Sequence, residues 1–153
     1  MNKDVVILTG AGQIGMAIAR RTSFGKRIII GDKSKANAEA ISKIMNDAGF
    51  DTLPMEMDLS SRESILKLID EAQKHGEISA LINAAGVSPS QAPIEAILKV
   101  DLYGTAVLLE EVGKVIKSGG VGVTISSQSG FRMPALTPEQ DELLATTPAE
   151  ELL

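Results

Sequence analysis

Three glycines near the start of the chain have the spacing of a phosphate-binding turn. Gly10, Gly12 and Gly15 directly follow the apolar run 5–8 and precede residues with helical periodicity. The first glycine permits a sharp bend, the second lets the backbone approach a diphosphate, and the third allows close packing of helix and strand. Amides and the dipole at a helix start favour an anion by about 0.3–1 kcal/mol. The motif therefore predicts a bound diphosphate, with a closely packed turn as the alternative.

A carboxylate follows the second apolar run, at the distance from the glycines that is typical of a ribose-binding acid. Asp32 comes after residues 27–30 and is followed by Lys33. A carboxylate at a strand tip accepts hydrogen bonds from ribose hydroxyls and repels a 2′-phosphate. Asp32 therefore favours NAD over NADP as the cofactor, and Lys33 is the opposing indication. A helix or turn cap is the alternative role of Asp32.

Polar residues also follow three later strand-like segments. Asp58 and Leu59 come after residues 52–57, an N-A-A-G tetrapeptide occupies residues 83–86, and Ser127 follows the run 121–126. Because ligands of open α/β sheets bind outside the carboxyl ends of the strands, we expect these residues to share one edge. The structural alternatives are a helix cap at Asp58 and turns at residues 83–86 and Ser127.

Strand-like and helix-like segments alternate regularly along the chain. This order predicts a doubly wound parallel α/β sheet of Rossmann type, with three αβα layers and an incomplete carboxyl-terminal end. Glycines and capping residues place the helix boundaries. The predicted strands are 4–8, 27–30, 52–57, 80–83 and 121–126, and the predicted helices are 13–24, about 34–48, about 61–75 and about 93–117.

The composition excludes several classes of function. The chain has 153 residues, no cysteine and a net charge of −5, which indicates one domain without disulfides or thiolate metal sites. No basic patch is available for a nucleic-acid backbone. No apolar run reaches membrane-spanning length, and residues 1–4 lack the apolar core of a signal segment. We expect a cytoplasmic protein with no metal, no nucleic-acid partner and no membrane association.

The motifs together resemble the short-chain dehydrogenase/reductase family, over nearly the whole chain up to Gly130. The N-A-A-G and I-S-S-x-x-G segments are more specific than the glycine motif. The resemblance implies hydride transfer between an alcohol or ketone and NAD, in a homo-oligomer, with Ser127 holding the substrate oxygen. It implies a cofactor site made by Gly10, Gly12, Gln13, Ile14, Gly15, Asp32, Lys33, Asp58, Leu59, Asn83, Ala84, Ala85 and Gly86.

Two positions depart from the family pattern. Asp101 stands where the family carries a helical asparagine that positions a catalytic lysine through water, and the resemblance makes Asp101 a second catalytic candidate. Its place on the apolar stripe of the helix 93–117 predicts an inward charge that needs a partner. The family's Tyr-x-x-x-Lys is absent, because Tyr103 is followed four places later by Val107. We interpret Tyr103 as a packing residue.

The last residues predict a short helical tail. Helix starts are indicated at Thr137 and at Thr147, and the chain stops at Leu153. We expect a dinucleotide-binding domain at residues 1–130, a partial insertion or helical tail at 131–153, and a missing remainder of the dehydrogenase. The helix 93–117 should then expose apolar surface and favour self-association. The alternatives are a non-catalytic NAD-binding regulatory module and a truncated pseudo-enzyme.

Overall fold

The computed structural model describes residues 3–153 and contains an open, fully parallel sheet. Its five strands have the order β3-β2-β1-β4-β5. Residues 1 and 2 of the predicted first domain lie outside the described residues. The doubly wound α/β fold is confirmed. The strands are β1 (Val5–Thr9), β2 (Arg27–Asp32), β3 (Asp51–Glu56), β4 (Ile78–Asn83) and β5 (Val121–Thr124).

Helices cover both faces of the sheet. Alternate residues of β1 belong to two different core clusters, with Val5 and Ile7 on one face and Val6 and Leu8 on the other, as the pleat of a strand requires. The first face packs on α3 and α5, and the second packs on α1 and α2. The three-layer arrangement is therefore confirmed. These helices are α1 (Gln13–Thr22), α2 (Lys35–Asp47), α3 (Arg62–His75) and α5 (Thr105–Val115), with the short α4 (Ile94–Ile97) before α5.

Serine side chains begin two of the major helices. Ser34 Oγ accepts a hydrogen bond from Asn37 N at 3.3 Å, and Ser61 Oγ accepts one from Ser64 N at 3.3 Å. These bonds satisfy amides that have no partner inside the helix. The cap predicted at Ser34 is confirmed. Since Ser61 caps α3, Asp58 does not fill the helix-cap role considered as its alternative.

The predicted continuous helix 93–117 consists of three parts. A π-helical segment, Leu98–Gly104, separates α4 from α5, so the prediction of one regular α-helix was wrong. The wider turn of a π segment changes which side chains face the sheet. Gly104 ends this segment and packs against the loop that precedes α3. A Cβ at residue 104 would clash with the Leu59 carbonyl oxygen and would lie 2.9 Å from Leu59 Cγ.

The carboxyl-terminal part forms short elements with exposed apolar side chains. They are α6 (Gln128–Arg132), α7 (Pro138–Thr146) and a 3₁₀ turn at Ala149–Glu151. The helix start predicted at Thr137 is confirmed, and it has a capping box, whereas the second predicted helix start makes only the 3₁₀ turn. All of β5 is exposed, and Ile94 is 76% exposed. Among the described residues no helix has the length and apolarity to cross a membrane.

The contact at Gly104 predicts a position-specific effect on stability. Gly104→Ala should lower the free energy of unfolding by about 1–3 kcal/mol, since the added methyl group overpacks the contact with Leu59. Gly113→Ala is the matched control in α5, where a Cβ meets no described atom within 4 Å, and it should raise stability by about 0.5–1 kcal/mol. Urea denaturation measures both changes. Equal effects at the two glycines would contradict the assigned contact.

Candidate functional site

The glycine turn lies directly against the segment that follows β4. Gly10 has a φ of 86°, and a Cβ there would lie 2.6 Å from Ala85 N and 2.7 Å from Ala84 O. A left-handed backbone this close to another backbone requires glycine. The sharp bend predicted at Gly10 is therefore present. It brings the end of β1 and the residues after β4 to one place.

The start of α1 fits a phosphate group. Gly12 precedes the helix without a side-chain cap from the described residues, and a Cβ at Gly12 would meet no described atom within 4 Å. Gly15 packs tightly instead, since its Cβ would lie 2.8 Å from Leu8 Cδ1. The first turn thus offers amides and open space to an anion, while the helix stays close to β1. Gln13 and Ile14 occupy this turn with exposed side chains.

Asp32 ties the tip of β2 to the glycine turn. Its Oδ2 accepts a hydrogen bond from Ala11 N at 2.7 Å, and its Oδ1 accepts one from Ser34 N at 2.8 Å. A turn role for Asp32 is therefore present in the structure. An ionised carboxylate has about four acceptor positions, so two remain for the hydroxyls of a ribose. The structural role and the predicted cofactor role are compatible.

Asp58 is held by a cation and a hydroxyl at the tip of β3. Lys33 Nζ lies 3.0 Å from Asp58 Oδ2, and Ser60 donates to Asp58 Oδ1 from its amide at 2.9 Å and its hydroxyl at 2.6 Å. Burial raises the pKa of Asp58, but the bonds from Ser60 and Lys33 outweigh it and leave the pKa below 3.8. Asp58 is therefore ionised at neutral pH, and its carboxylate is held in an ion pair with Lys33.

A cleft of about 360 Å³ lies between these strand tips. It brings together nine of the cofactor residues expected from sequence, and four others, Gln13, Ile14, Gly15 and Asn83, do not line it. Residues that sequence reasoning missed also line it, among them Ala11, Asn37, Val87 and Gln91. The one signal that could have identified these residues is their closeness in sequence to the glycine motif, to Asp32 and to the N-A-A-G segment. The expected residues that line the cleft are Gly10, Gly12, Asp32, Lys33, Asp58, Leu59, Ala84, Ala85 and Gly86.

Asn83 braces the central strands from inside. Its side chain is buried, with the residue 1% exposed. Its Oδ1 accepts a hydrogen bond from Thr9 Oγ1 at 2.6 Å, and its Nδ2 donates to Thr105 Oγ1 at 3.4 Å. Its carbonyl accepts a bond from Ile125 N at 2.9 Å. Asn83 thus joins β1, α5 and the end of β5, and it positions the cleft without facing it.

A second cleft of about 510 Å³ adjoins the first and contains both catalytic candidates, Ser127 and Asp101. Ser127 precedes α6, and its Oγ accepts a hydrogen bond from Ser129 N at 3.1 Å. The turn role considered for Ser127 is therefore present. Because the hydroxyl only accepts in this bond, its own proton is left to donate to a ligand oxygen.

Asp101 lies in the π-helical segment and is exposed, so the expectation of an inward-facing charge was wrong. The π turn, which displaces the regular helical stripe, is the physical reason. Its Oδ1 accepts a hydrogen bond from Val87 N at 3.0 Å. The carboxylate thereby fixes the loop after β4, and it shares the second cleft with Ser127.

Comparison with known proteins identifies the family. The family model for short chain dehydrogenases matches residues 4–138. The chain belongs to the short-chain dehydrogenase/reductase family. Short-chain dehydrogenase/reductase bsc3 of Alternaria brassicicola is 34% identical over 154 residues, which cover 99% of this chain and 56% of that protein. The 3-oxoacyl-[acyl-carrier-protein] reductase FabG of Aquifex aeolicus is 35% identical, with 83% of this chain and 56% of that protein covered.

Solved structures of the family have the same fold. A short-chain dehydrogenase from Mycobacterium smegmatis superposes with a TM-score of 0.75 at 24% identity and covers 87% of this chain and 62% of that one. A Burkholderia phymatum family member in complex with NAD gives a TM-score of 0.74 at 21% identity, covering 90% and 52%. This chain therefore spans about half the length of the curated relatives that it matches.

The Asp58 cluster predicts how stability depends on pH. Because the pKa of Asp58 is lowered in the folded chain, its stabilising effect is complete above the unfolded value of 3.8 and is lost as the pH falls through the folded value. The stability deficit of Asp58→Asn should thus be largest near neutral pH and shrink below pH 3.8. Urea denaturation across this range measures it. Lys33→Met, which leaves the Ser60 bonds in place, should show a smaller deficit with the same trend. A pH-independent deficit would contradict this assignment.

Proposed function

We propose that this chain is the cofactor-binding part of an NAD-dependent oxidoreductase that transfers a hydride between an alcohol or ketone substrate and NAD. The observation that supports this function is the meeting of the glycine turn, Asp32 and Asp58 in one cleft, beside a second cleft with Ser127. Membership of an oxidoreductase family supports the same reaction class. In this proposal residues 1–130 are the dinucleotide-binding domain and residues 131–153 are a helical tail.

The first cleft carries groups that suit the adenosine and the diphosphate of a dinucleotide. Asp58 and Leu59 flank the adenine position, and Asp32 has acceptor positions left for the adenosine ribose. The open turn at Gly12 and the start of α1 receive the diphosphate. Since Asp32 would repel a 2′-phosphate, and Lys33 is paired with Asp58, these charges favour NAD over NADP.

The second cleft supplies groups for the reacting end. When bound, the nicotinamide supplies a hydride donor or acceptor. The Ser127 hydroxyl donates a hydrogen bond to the substrate oxygen and thereby stabilises the negative charge that develops on a carbonyl. Asp101 holds the wall of this cleft through Val87 N. The 153 residues contain no Tyr-x-x-x-Lys, so we expect this chain by itself to bind the cofactor with little turnover.

A truncated pseudo-enzyme or regulatory NAD-binding module is the second candidate. The observation in its favour is that these 153 residues contain no Tyr-x-x-x-Lys, the motif that supplies the proton donor in the family. We further propose a cytoplasmic setting and a homo-oligomer. The exposed Ile94, Leu98 and Leu109 on the α4–α5 face support self-association, since such apolar surface gains free energy when it is covered.

The charge of Asp32 predicts cofactor preference. Asp32→Asn should weaken NADH binding about tenfold, because hydrogen bonds to a charged acceptor are worth about 1.5–3 kcal/mol each. NADPH binding should change less, so the preference for NADH should shrink. Asp47→Asn is the matched control, since among residues 3–153 Asp47 pairs only with Lys43, at the exposed end of α2. Fluorescence titration measures these affinities. Equal wild-type affinity for NADH and NADPH would contradict the proposed role.

The lack of a Tyr-x-x-x-Lys motif in these 153 residues predicts slow turnover. Oxidation of NADH by a panel of ketones should proceed far more slowly with this 153-residue chain than with an intact family enzyme assayed in parallel, because no tyrosine–lysine pair is present to move the proton. Absorbance of NADH follows the reaction. Comparable rates would show that another group of this chain supplies the proton.

A further inference from the structure

The two clefts meet at a short wall that both of them share. Four residues line both clefts, namely Ala85, Gly86, Val87 and Gln91. Gln91 has the one polar side chain among these four. Neither the family motifs nor the expected cofactor residues include it. Gln91 is therefore close to any ligand that extends from the first cleft into the second across this shared wall.

The hydrogen bonds around Gln91 determine which end of its amide is available. Gln91 Oε1 accepts from Ser88 N at 3.0 Å and from Ser88 Oγ at 2.9 Å. Because a backbone N–H can only donate, the atom that faces Ser88 N must be the amide oxygen, which settles the choice between the two amide orientations. The side-chain nitrogen therefore lies on the other branch of the amide. It forms no hydrogen bond with the residues that the structure describes.

The loop holds this side chain in place. Gln91 N donates to the Ser88 carbonyl at 2.8 Å, and Ser88 Oγ lies 2.8 Å from Ser90 Oγ. Hydrogen bonds thus hold Gln91 at its backbone N–H and at its side-chain oxygen. A donor whose orientation is already restricted loses less conformational entropy when it binds.

We propose that Gln91 binds the nicotinamide half of the dinucleotide. This inference rests on the proposed function, in which the adenosine occupies the first cleft and the reacting end occupies the second. The segment that joins them carries phosphate and ribose oxygens, which are acceptors. The two N–H groups of the Gln91 amide are the matching donors at the junction. Gln91 thereby directs the nicotinamide toward Ser127.

Gln91 also has a structural role in the loop, and the choice of variants separates the two roles. Gln91→Glu keeps an oxygen that accepts both bonds from Ser88 but removes the N–H donors. Gln91→Met removes the acceptor and the donors together. Gln73→Glu is the matched charge control, because Gln73 is exposed on α3 and lines neither cleft.

The test compares two nucleotides of different length. AMP fills only the adenine end, whereas NADH spans the junction. Gln91→Glu should weaken NADH binding about five- to tenfold and change AMP binding by less than about twofold, because only NADH reaches the amide. Gln91→Met should show the same selectivity, and Gln73→Glu should bind both nucleotides as the wild type does. Isothermal titration calorimetry measures each dissociation constant.

Three results would overturn the inference. Unchanged NADH binding in Gln91→Glu would show that the amide donors do not contact the cofactor. Equal weakening of AMP and NADH would indicate a disturbed first cleft, and a loss confined to Gln91→Met would indicate a role in the loop alone. A wild-type chain that binds neither nucleotide would refute the proposed function as well, so the two failures are distinguishable.

Discussion

The close approach of two backbones at the middle of the sheet positions everything else in the site. Gly10 lies so near Ala84 and Ala85 that a side chain at residue 10 would overlap their peptide group. The pairing of β1 with β4 brings Thr9 opposite Asn83, and their side chains hydrogen-bond inside the core. Because β1 also pairs with β2, the same contact places the Asp32 tip beside the residues after β4. A shift at this point would separate the two clefts.

Carboxylates fix the loops around the clefts before any ligand is present. Asp32 holds Ala11 N, Asp58 holds Ser60 and Lys33, and Asp101 holds Val87 N. Each bond fixes a loop that follows a strand, at Ala11 after β1, at Ser60 after β3 and at Val87 after β4. Loops that are ordered in advance lower the entropy cost of binding. The acids at the site thus have a structural use and retain acceptor positions for a ligand.

The proposed function divides the binding of the dinucleotide and the substrate between the two clefts. The first cleft gathers donors, acceptors and open backbone suited to a dinucleotide. The second gathers hydroxyls and one carboxylate around Ser127. In the family the proton-transferring pair is Tyr-x-x-x-Lys, which these 153 residues do not contain. In the proposed function the described residues bind the cofactor, and proton transfer needs groups that these 153 residues do not supply.

The sequence by itself determined the α/β fold, the bend at Gly10 and the acids at the strand tips, through its apolar runs, glycines and capping residues. These are local signals, since apolar periodicity and turn chemistry depend on neighbouring residues. Tertiary structure decided the rest. The π turn that exposes Asp101, the inward placement of Asn83 and the position of Gln91 between two clefts each depend on contacts between segments distant in sequence. Such contacts leave no periodic pattern, because packing rather than local propensity selects them.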